Sequence, residues 1–340
     1  MKAFYDPIQA KHAPSFYIVR GNIVQSAEQP ERAERLKAGL DRCGIELHPA
    51  QDFGPGPRAD VHTPEYLQFL ASAHEEWQKL PGGSSAEVVA NIHPIRYHAT
   101  YPPGIVGRAG WHMADTSCPI GPHTFEAACA SANTALTAAQ AVLQGDRVAY
   151  ALCRPPGHHA FTDMAGGFCF LNNAAIVAQF LRKTHQRVAI LDVDVHHGNG
   201  TQGVFYRRKD VFTISLHCDS SHYYPYLWGH PTERGEGEGE GVNLNLPLPP
   251  NTSDYSYLEM LTKAIAAIEV FAPTALVVAL GLDASEHDPL RGLAITTPGF
   301  ERIARTISAI GLPTVLVQEG GYLSDVLTDN LAAFLTGFES

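Results

Sequence analysis

The chain is poor in the features that would direct it to a membrane, a nucleic acid or an oxidising compartment. None of its apolar runs approaches the ~18–20 residues that a membrane-crossing helix needs. Its opening, Met1-Lys2-Ala3-Phe4-Tyr5-Asp6-Pro7, has no apolar stretch of the signal-peptide kind. The six cysteines are scattered and include no Cys-X-X-Cys pair, so reduced thiols are expected rather than a disulfide framework. Basic residues are scarce: 24 Lys and Arg stand against 35 Asp and Glu, for a net charge of -11. That balance argues against nucleic acid as a partner and favours cationic ligands. A cytoplasmic protein is expected.

Against these scarcities stands a 45% hydrophobic content, enough for a large core in 340 residues. No linker is visible, so one domain over 1–340 is expected. The first 100 or so residues read as irregular apart from a helix over Pro30–Leu40. An Ala-rich helix is expected over Thr124–Leu143, with Gly145 to stop it. Strands at 148–152, 188–193, 211–216, 275–280 and 313–318 then alternate with helices at 171–182, 255–271, 298–310 and 325–335. Apolar strands alternating with helices predict an α/β fold, a mostly parallel sheet with helices on both faces. Two stretches interrupt this rhythm. Residues 80–123 form an insertion with Pro81-Gly82-Gly83, Tyr97, Trp111 and His112. Residues 234–241, Arg-Gly-Glu-Gly-Glu-Gly-Glu-Gly, read as a flexible acidic loop.

The most informative stretch is Leu191-Asp192-Val193-Asp194-Val195-His196-His197-Gly198-Asn199-Gly200. In an extended backbone Asp192, Asp194 and His196 share a face. Two carboxylates and an imidazole at the end of an apolar strand call for a cation among them, and mixed O/N ligands suit zinc or iron(II). A polar strand end with satisfied hydrogen bonds is the plainer alternative. Three more strands deliver polar residues just past their ends: Arg154-Pro155-Pro156-Gly157-His158-His159-Ala160, Gly281-Leu282-Asp283 and Glu319-Gly320-Gly321-Tyr322. Ligands of parallel sheets bind beyond the carboxyl ends of the strands, so four loops are expected to converge. Asp194, His196 and Asp283 would make a three-ligand site with an open position. His158 and His159 are candidates for proton transfer, and Tyr322 for an oxyanion donor.

These motifs, with Gly166-Gly167-Phe168-Cys169-Phe170-Leu171-Asn172-Asn173, resemble the histone deacetylase superfamily, and within it the bacterial acetylpolyamine amidohydrolases. The resemblance runs from about Pro30 to the C-terminus and is most specific over 150–325. It implies the arginase–deacetylase fold and zinc- or iron-dependent hydrolysis of an N-acetyl amide. It makes Asp194, His196 and Asp283 the metal ligands, His159 the general base turned general acid, His158 its electrostatic partner and Asp192 the carboxylate that orients His158. Asn199 partners His159 where many family members carry Asp, which implies a less basic imidazole. Tyr322 would polarise the scissile carbonyl. Gly167, Phe168 and Leu290 would line the substrate tunnel, as would one of Tyr223 and Tyr224, with Tyr224 chosen and its hydroxyl expected at the channel rim. A K+ site would involve Asp192, Asp194, His196, Ser215 and Leu216, and a second one Phe205, Arg208, Val211 and Asn243.

The same resemblance implies a homodimer whose partner narrows the tunnel. Small cationic acetylated diamines or polyamines are therefore the expected substrates, with Asp115 and Asp219 as candidate acids for the distal ammonium. Deacetylation of acetyl-lysine in proteins or peptides is the alternative. A non-catalytic acetyl-amine binding module is disfavoured, since every ligand and proton-transfer group is present.

Overall fold

The computed structural model describes residues 1–82, 84–93 and 99–340, so Gly83 and Tyr97 of the insertion lie outside the described residues. The strands are β1 (Lys2–Tyr5), β2 (Phe16–Val19), β3 (Asn22–Gln25), β4 (Leu47–Pro49), β5 (Val148–Ala151), β6 (Val188–Asp192), β7 (Val211–Cys218), β8 (Asn243–Leu248), β9 (Ala275–Leu280) and β10 (Thr314–Gln318). Eight form one sheet in the order β4-β1-β5-β10-β9-β6-β7-β8, and every pairing within it is parallel. β2 and β3 form a separate antiparallel hairpin.

The central strands are apolar on both faces because both are covered. Ala149, Ile190, Val277 and Val315 pack into one core, beneath helices Pro64–Gln78, Thr124–Leu143 and Asn173–Leu181. Tyr150, Leu191, Val278 and Leu316 pack into the other, beneath helices Glu31–Arg42, Asp254–Phe271, Thr297–Ser308 and Leu327–Glu339. Alternate side chains thus feed opposite layers.

The reading of the first 100 residues as irregular is corrected. β1 inserts between β4 and β5, and Pro64–Gln78 is a helix whose Thr63 side chain accepts from the Tyr66 amide. Its Tyr66, Phe69, Leu70, Ala73 and Trp77 are buried at helical spacing. Helix Asn199–Phe205 and the edge strand β8 are further elements beyond the expected set. In the insertion, helix Ile105–His112 is tied down at its end, where His112 Nδ1 lies 2.7 Å from the Asp163 carbonyl. The 234–241 segment is stitched to itself by Gly241 N donating to Arg234 O (2.7 Å), and to the preceding loop by Glu236 N donating to Tyr206 O (2.9 Å).

Candidate active site

β6 stops at Asp192, so the pleat of a strand does not present Asp194 and His196, and that expectation is corrected. Nested turns do it instead: Asp192 Oδ1 accepts from Asp194 N (3.1 Å), and Asp194 Oδ1 from His196 N (2.9 Å). Each carboxylate caps the amide two residues on, which folds the chain over the strand end. Asp283, just past β9, is joined to the same turn by Val195 N donating to its Oδ1 (3.1 Å). Gly320, past β10, donates its amide to Asp194 Oδ2 (2.8 Å), and a Cβ there would run into both carboxylates. Ligand atoms of Asp194, His196 and Asp283 all lie within 4.8 Å of one another.

The donor set fits a divalent metal. Asp194 and Asp283 are fully buried, and the close polar neighbour of Asp283 Oδ2 among the described residues is His196 Nδ1 at 3.2 Å, itself a candidate ligand. Burial would push the His196 imidazole down, yet Asp194 and Asp283 hold it up at about 9. The two carboxylates thus demand positive charge between them. Oxygen, nitrogen and oxygen ligands, with no fourth protein donor in the cluster among the described residues, suit zinc or iron(II) at an open site.

His158 and His159 lie beside this cluster on the loop after β5, their rings 4.0 Å apart. His158 Nδ1 is 2.9 Å from Asp192 Oδ2. Burial opposes its charge, but Asp194 and Asp192 hold its pKa up to about 10. His159 Nδ1 is 2.7 Å from Asn199 Oδ1. An amide oxygen only accepts, so that nitrogen carries the proton and Nε2 keeps its lone pair. Burial pushes His159 well below the ordinary histidine range, and the neighbouring His158 and His196 push the same way. The environments of the two imidazoles therefore drive them apart.

Aromatic walls rise above this floor. Phe168 meets Tyr17 of the hairpin (5.2 Å) and Tyr322 (5.7 Å) edge to face. Tyr224 stands edge-on to His159 (4.9 Å) and His196 (6.0 Å). Tyr223 instead stacks on His196 (5.1 Å) and donates its hydroxyl to Leu290 O (3.1 Å). The Tyr224 hydroxyl is not a free rim group as expected. It is turned toward Gly167 and donates to Asp115 Oδ2 (2.6 Å). Asp115 also accepts from Gly167 N (3.2 Å) and Ser117 N (2.7 Å). Asp219, in contrast, sits past β7 and accepts from Ser221 N (2.9 Å).

The model of the histone deacetylase domain matches residues 26–338. The chain belongs to the histone deacetylase family. It is 47% identical to an acetylpolyamine amidohydrolase of Burkholderia pseudomallei, over 99% of this chain and 98% of that one. It is 40% identical to an acetylpolyamine amidohydrolase of Mycoplana ramosa, over 93% of each. The crystal structure of an acetylpolyamine aminohydrolase from Burkholderia pseudomallei superposes with a TM-score of 0.97 at 46% identity, covering 100% of this chain and 99% of that one. The arginase–deacetylase fold and membership of a family of metal-dependent hydrolases follow. The family match extends the resemblance read from the motifs a few residues toward the N-terminus.

For a histone deacetylase family member, two residues in the site, Arg32 and Asp288, carry no local motif and escape sequence reasoning, while a third, Glu319, stands in a motif read from the sequence without a role assigned to it. Arg32, from the first helix, donates to Gly321 O (2.6 Å) and Glu319 O (2.7 Å), and its guanidinium lies 4.7 Å over the Tyr322 ring. Asp288 accepts from Tyr322 N (2.8 Å) and Leu290 N (2.8 Å), joining one wall to the tyrosine. Glu319 accepts from Gly157 N (2.6 Å) and His158 N (3.1 Å), while burial raises its carboxyl to about 7. For Arg32, a basic residue in the first turn of a helix was the available signal. Of the residues read as monovalent-cation ligands, Ser215 faces Asp192 across the β6–β7 pair, beside a small cavity of about 10 Å³ that Asn243 also lines. Leu216 follows on β7 and is fully buried. Phe205 and Arg208 adjoin through Arg208 N donating to Phe205 O (2.9 Å), and Val211 begins β7. The Arg208 side chain itself is engaged by Asp210 and Gln179.

Proposed function

We propose that this protein hydrolyses the amide of N-acetylated diamines or polyamines, releasing acetate and the free amine, with a zinc ion held by Asp194, His196 and Asp283. The observation that carries the reading is the convergence of that three-ligand cluster with a pair of imidazoles in opposed electrostatic settings. Sequence kinship to proteins named acetylpolyamine amidohydrolases over the full chain supports the substrate class. Iron(II) suits the same donors and is the alternative metal.

When bound, the metal polarises the amide carbonyl and lowers the pKa of water toward ~7. His159, fixed by Asn199 at Nδ1, takes a proton at Nε2 as the water oxygen bonds to the carbonyl carbon. The same nitrogen delivers that proton to the leaving nitrogen as the C–N bond breaks. His158, positively charged beside Asp192, keeps His159 poorly basic until the reaction develops negative charge nearby. Tyr322 donates its hydroxyl to the developing oxyanion. Gly167, Phe168, Tyr224 and Leu290 enclose the linear chain and exclude water. Structural K+ belongs to this reading, at Asp192, Asp194, His196, Ser215 and Leu216, with a second ion near Phe205, Arg208, Val211 and Asn243.

The net charge of -11 favours a small cationic substrate. A single catalytic domain over 1–340, a homodimer narrowing the entrance and a cytoplasmic location complete the reading. Among the described residues no helix is long and apolar enough to cross a membrane. The deciding experiment compares acetate release from acetylputrescine and from an acetyl-lysine peptide by the zinc-loaded protein. Preference for acetylputrescine is expected. Equal or better turnover of the peptide would transfer the assignment to protein deacetylation, and no acetate from either would end the hydrolase reading.

A further inference from the structure

We infer that Asp115 is a specificity-determining residue, a clamp that fixes Tyr224 against the Gly166–Phe168 turn and thereby sets the bore of the tunnel. The inference rests on the hydrolase reading for its substrates but not for its geometry.

Residues 112–117 run as a strap along the loop that carries Gly167 and Phe168. Ala165 N donates to His112 O (2.8 Å), Ala114 N to Ala165 O (2.7 Å) and Phe168 N to Ser117 O (3.3 Å). From this strap the Asp115 carboxylate reaches two walls at once. One oxygen accepts from the amide of its own turn, Ser117 N at 2.7 Å. The other accepts from Gly167 N at 3.2 Å and from the Tyr224 hydroxyl at 2.6 Å. Tyr224 comes from a segment 109 residues away in the chain. The carboxylate therefore extends the backbone bonds between the insertion and the Phe168 turn to the opposite aromatic wall.

The packing leaves little room for slack. Gly167 has φ +50, and a Cβ on it would collide with the His159 ring and the Tyr224 hydroxyl. Phe168 follows with φ +69, an uncommon conformation for a bulky residue. An amide hydrogen bond to a carboxylate at this point holds the turn in that shape. Three internal donors already engage its two oxygens, so the clamp assigns Asp115 to shaping the passage, a role distinct from the distal-ammonium acid for which the sequence offered it as a candidate.

The test separates bore from charge by using neutral substrates. N-butylacetamide and N-sec-butylacetamide have the same composition and differ in the branch beside the amide nitrogen. The kcat/KM ratio of linear over branched is measured for the wild type, Y224F, D115N and D115N/Y224F. Y224F keeps the charge of Asp115 and removes only the hydroxyl. D115N keeps one accepting oxygen and replaces the other with a donor. Each single variant is expected to lower the ratio by about tenfold, the scale on which a pocket senses one carbon. The double variant should fall no further than the larger single effect, because both remove one clamp. Hydrogen exchange at Gly167 and Phe168 should quicken in D115N. An unchanged ratio, additive losses, or an effect of D115N without one of Y224F would overturn the clamp. Should the wild type cleave neither neutral amide, the hydrolase reading is still decided by acetylputrescine, and the exchange of Gly167 decides the clamp: unchanged protection in D115N would refute it.

Discussion

The floor of the site and its rim are built by different means. On the floor, Asp192, Asp194, Asp283, His158 and His159 are at most 4% exposed, and each carboxylate is tied to a backbone amide of a strand-end turn. At the rim, Tyr224 and Leu290 are half-buried on loops, and Tyr226 and Leu227 next to them are 54% and 73% exposed. The sheet dictates the floor, because four parallel strands must end side by side. Loops tied to one another by side chains such as Asp115 and Asp288 dictate the rim. Substitutions on the floor should therefore abolish the reaction, and substitutions at the rim should redirect it.

The largest test of that contrast is Asp283→Ala. It removes one of the three proposed ligands and leaves Asp194 facing His196 alone. Metal content should fall to background and turnover by more than about a thousandfold, since several kcal/mol of transition-state stabilisation leave with the metal. Metal analysis of the purified variant beside its activity checks this. One zinc per chain with full activity would break the division between floor and rim.

Next in size, His159→Ala and Tyr322→Phe should cost about 10²–10⁴ and 10²–10³ in kcat, with metal content unchanged. Melting temperatures near the wild-type value would show that the loss is chemical. Near-normal turnover of either would mean that the reacting centre lies elsewhere.

A third test asks what underpins the rim. His12 packs edge-on against Phe170, and His62 Nε2 accepts from Asn172 N (3.0 Å), so both support the turn that carries Phe168. Burial depresses each to about 4 from an unfolded value of 6.5. Between pH 6.5 and 4 the unfolded chain binds more protons than the folded one at these sites. Their contribution is thus intact above pH 6.5 and lost as pH falls toward 4, by up to about 1.4 kcal/mol per pH unit for each. Urea midpoints across this range should show the slope, and His62→Gln, which keeps an acceptor but cannot be protonated, should flatten it. An unaltered slope in that variant would remove His62 from the account.

How much of this was legible depended on whether a residue's partner lay nearby in sequence. β5, β6, β7, β9 and β10 were readable because strands buried on both faces are continuously apolar. β8 was not: Asn243 and Asn245 turn inward to a polar pocket with Gln202, which inverts the usual alternation. β1 offers only Ala3-Phe4-Tyr5, and β4 ends on Pro49 at the sheet edge, too little pattern for either. Helix Pro64–Gln78 had both a Thr cap and helical spacing, and was readable in principle. In the site, His158, Asp194 and Tyr322 stand in dense motifs. Arg32, Asp288 and Asp115 act on distant backbone or a distant hydroxyl, and no spacing rule encodes that.

The smallest effect concerns Asn199, the floor residue that pairs with His159. Asn199 offers His159 a neutral oxygen at 2.7 Å, which fixes the tautomer without stabilising a positive charge as a carboxylate would. Asn199→Asp keeps the geometry and adds an anion at hydrogen-bond distance. An opposite charge so close raises an imidazole pKa by about 1–3 units in a buried setting. His159 must be neutral to accept the proton of water, so the acidic limb of the kcat/KM profile should move upward by about one unit. Above that limb the rate should change little, because the tautomer is the same. The imidazolium formed in the transition state would be better stabilised, but the base would be free over a narrower pH range. A pH profile of both proteins on one neutral acetamide reads this directly. A limb that stays in place would show that His159 is not the group whose ionisation governs turnover.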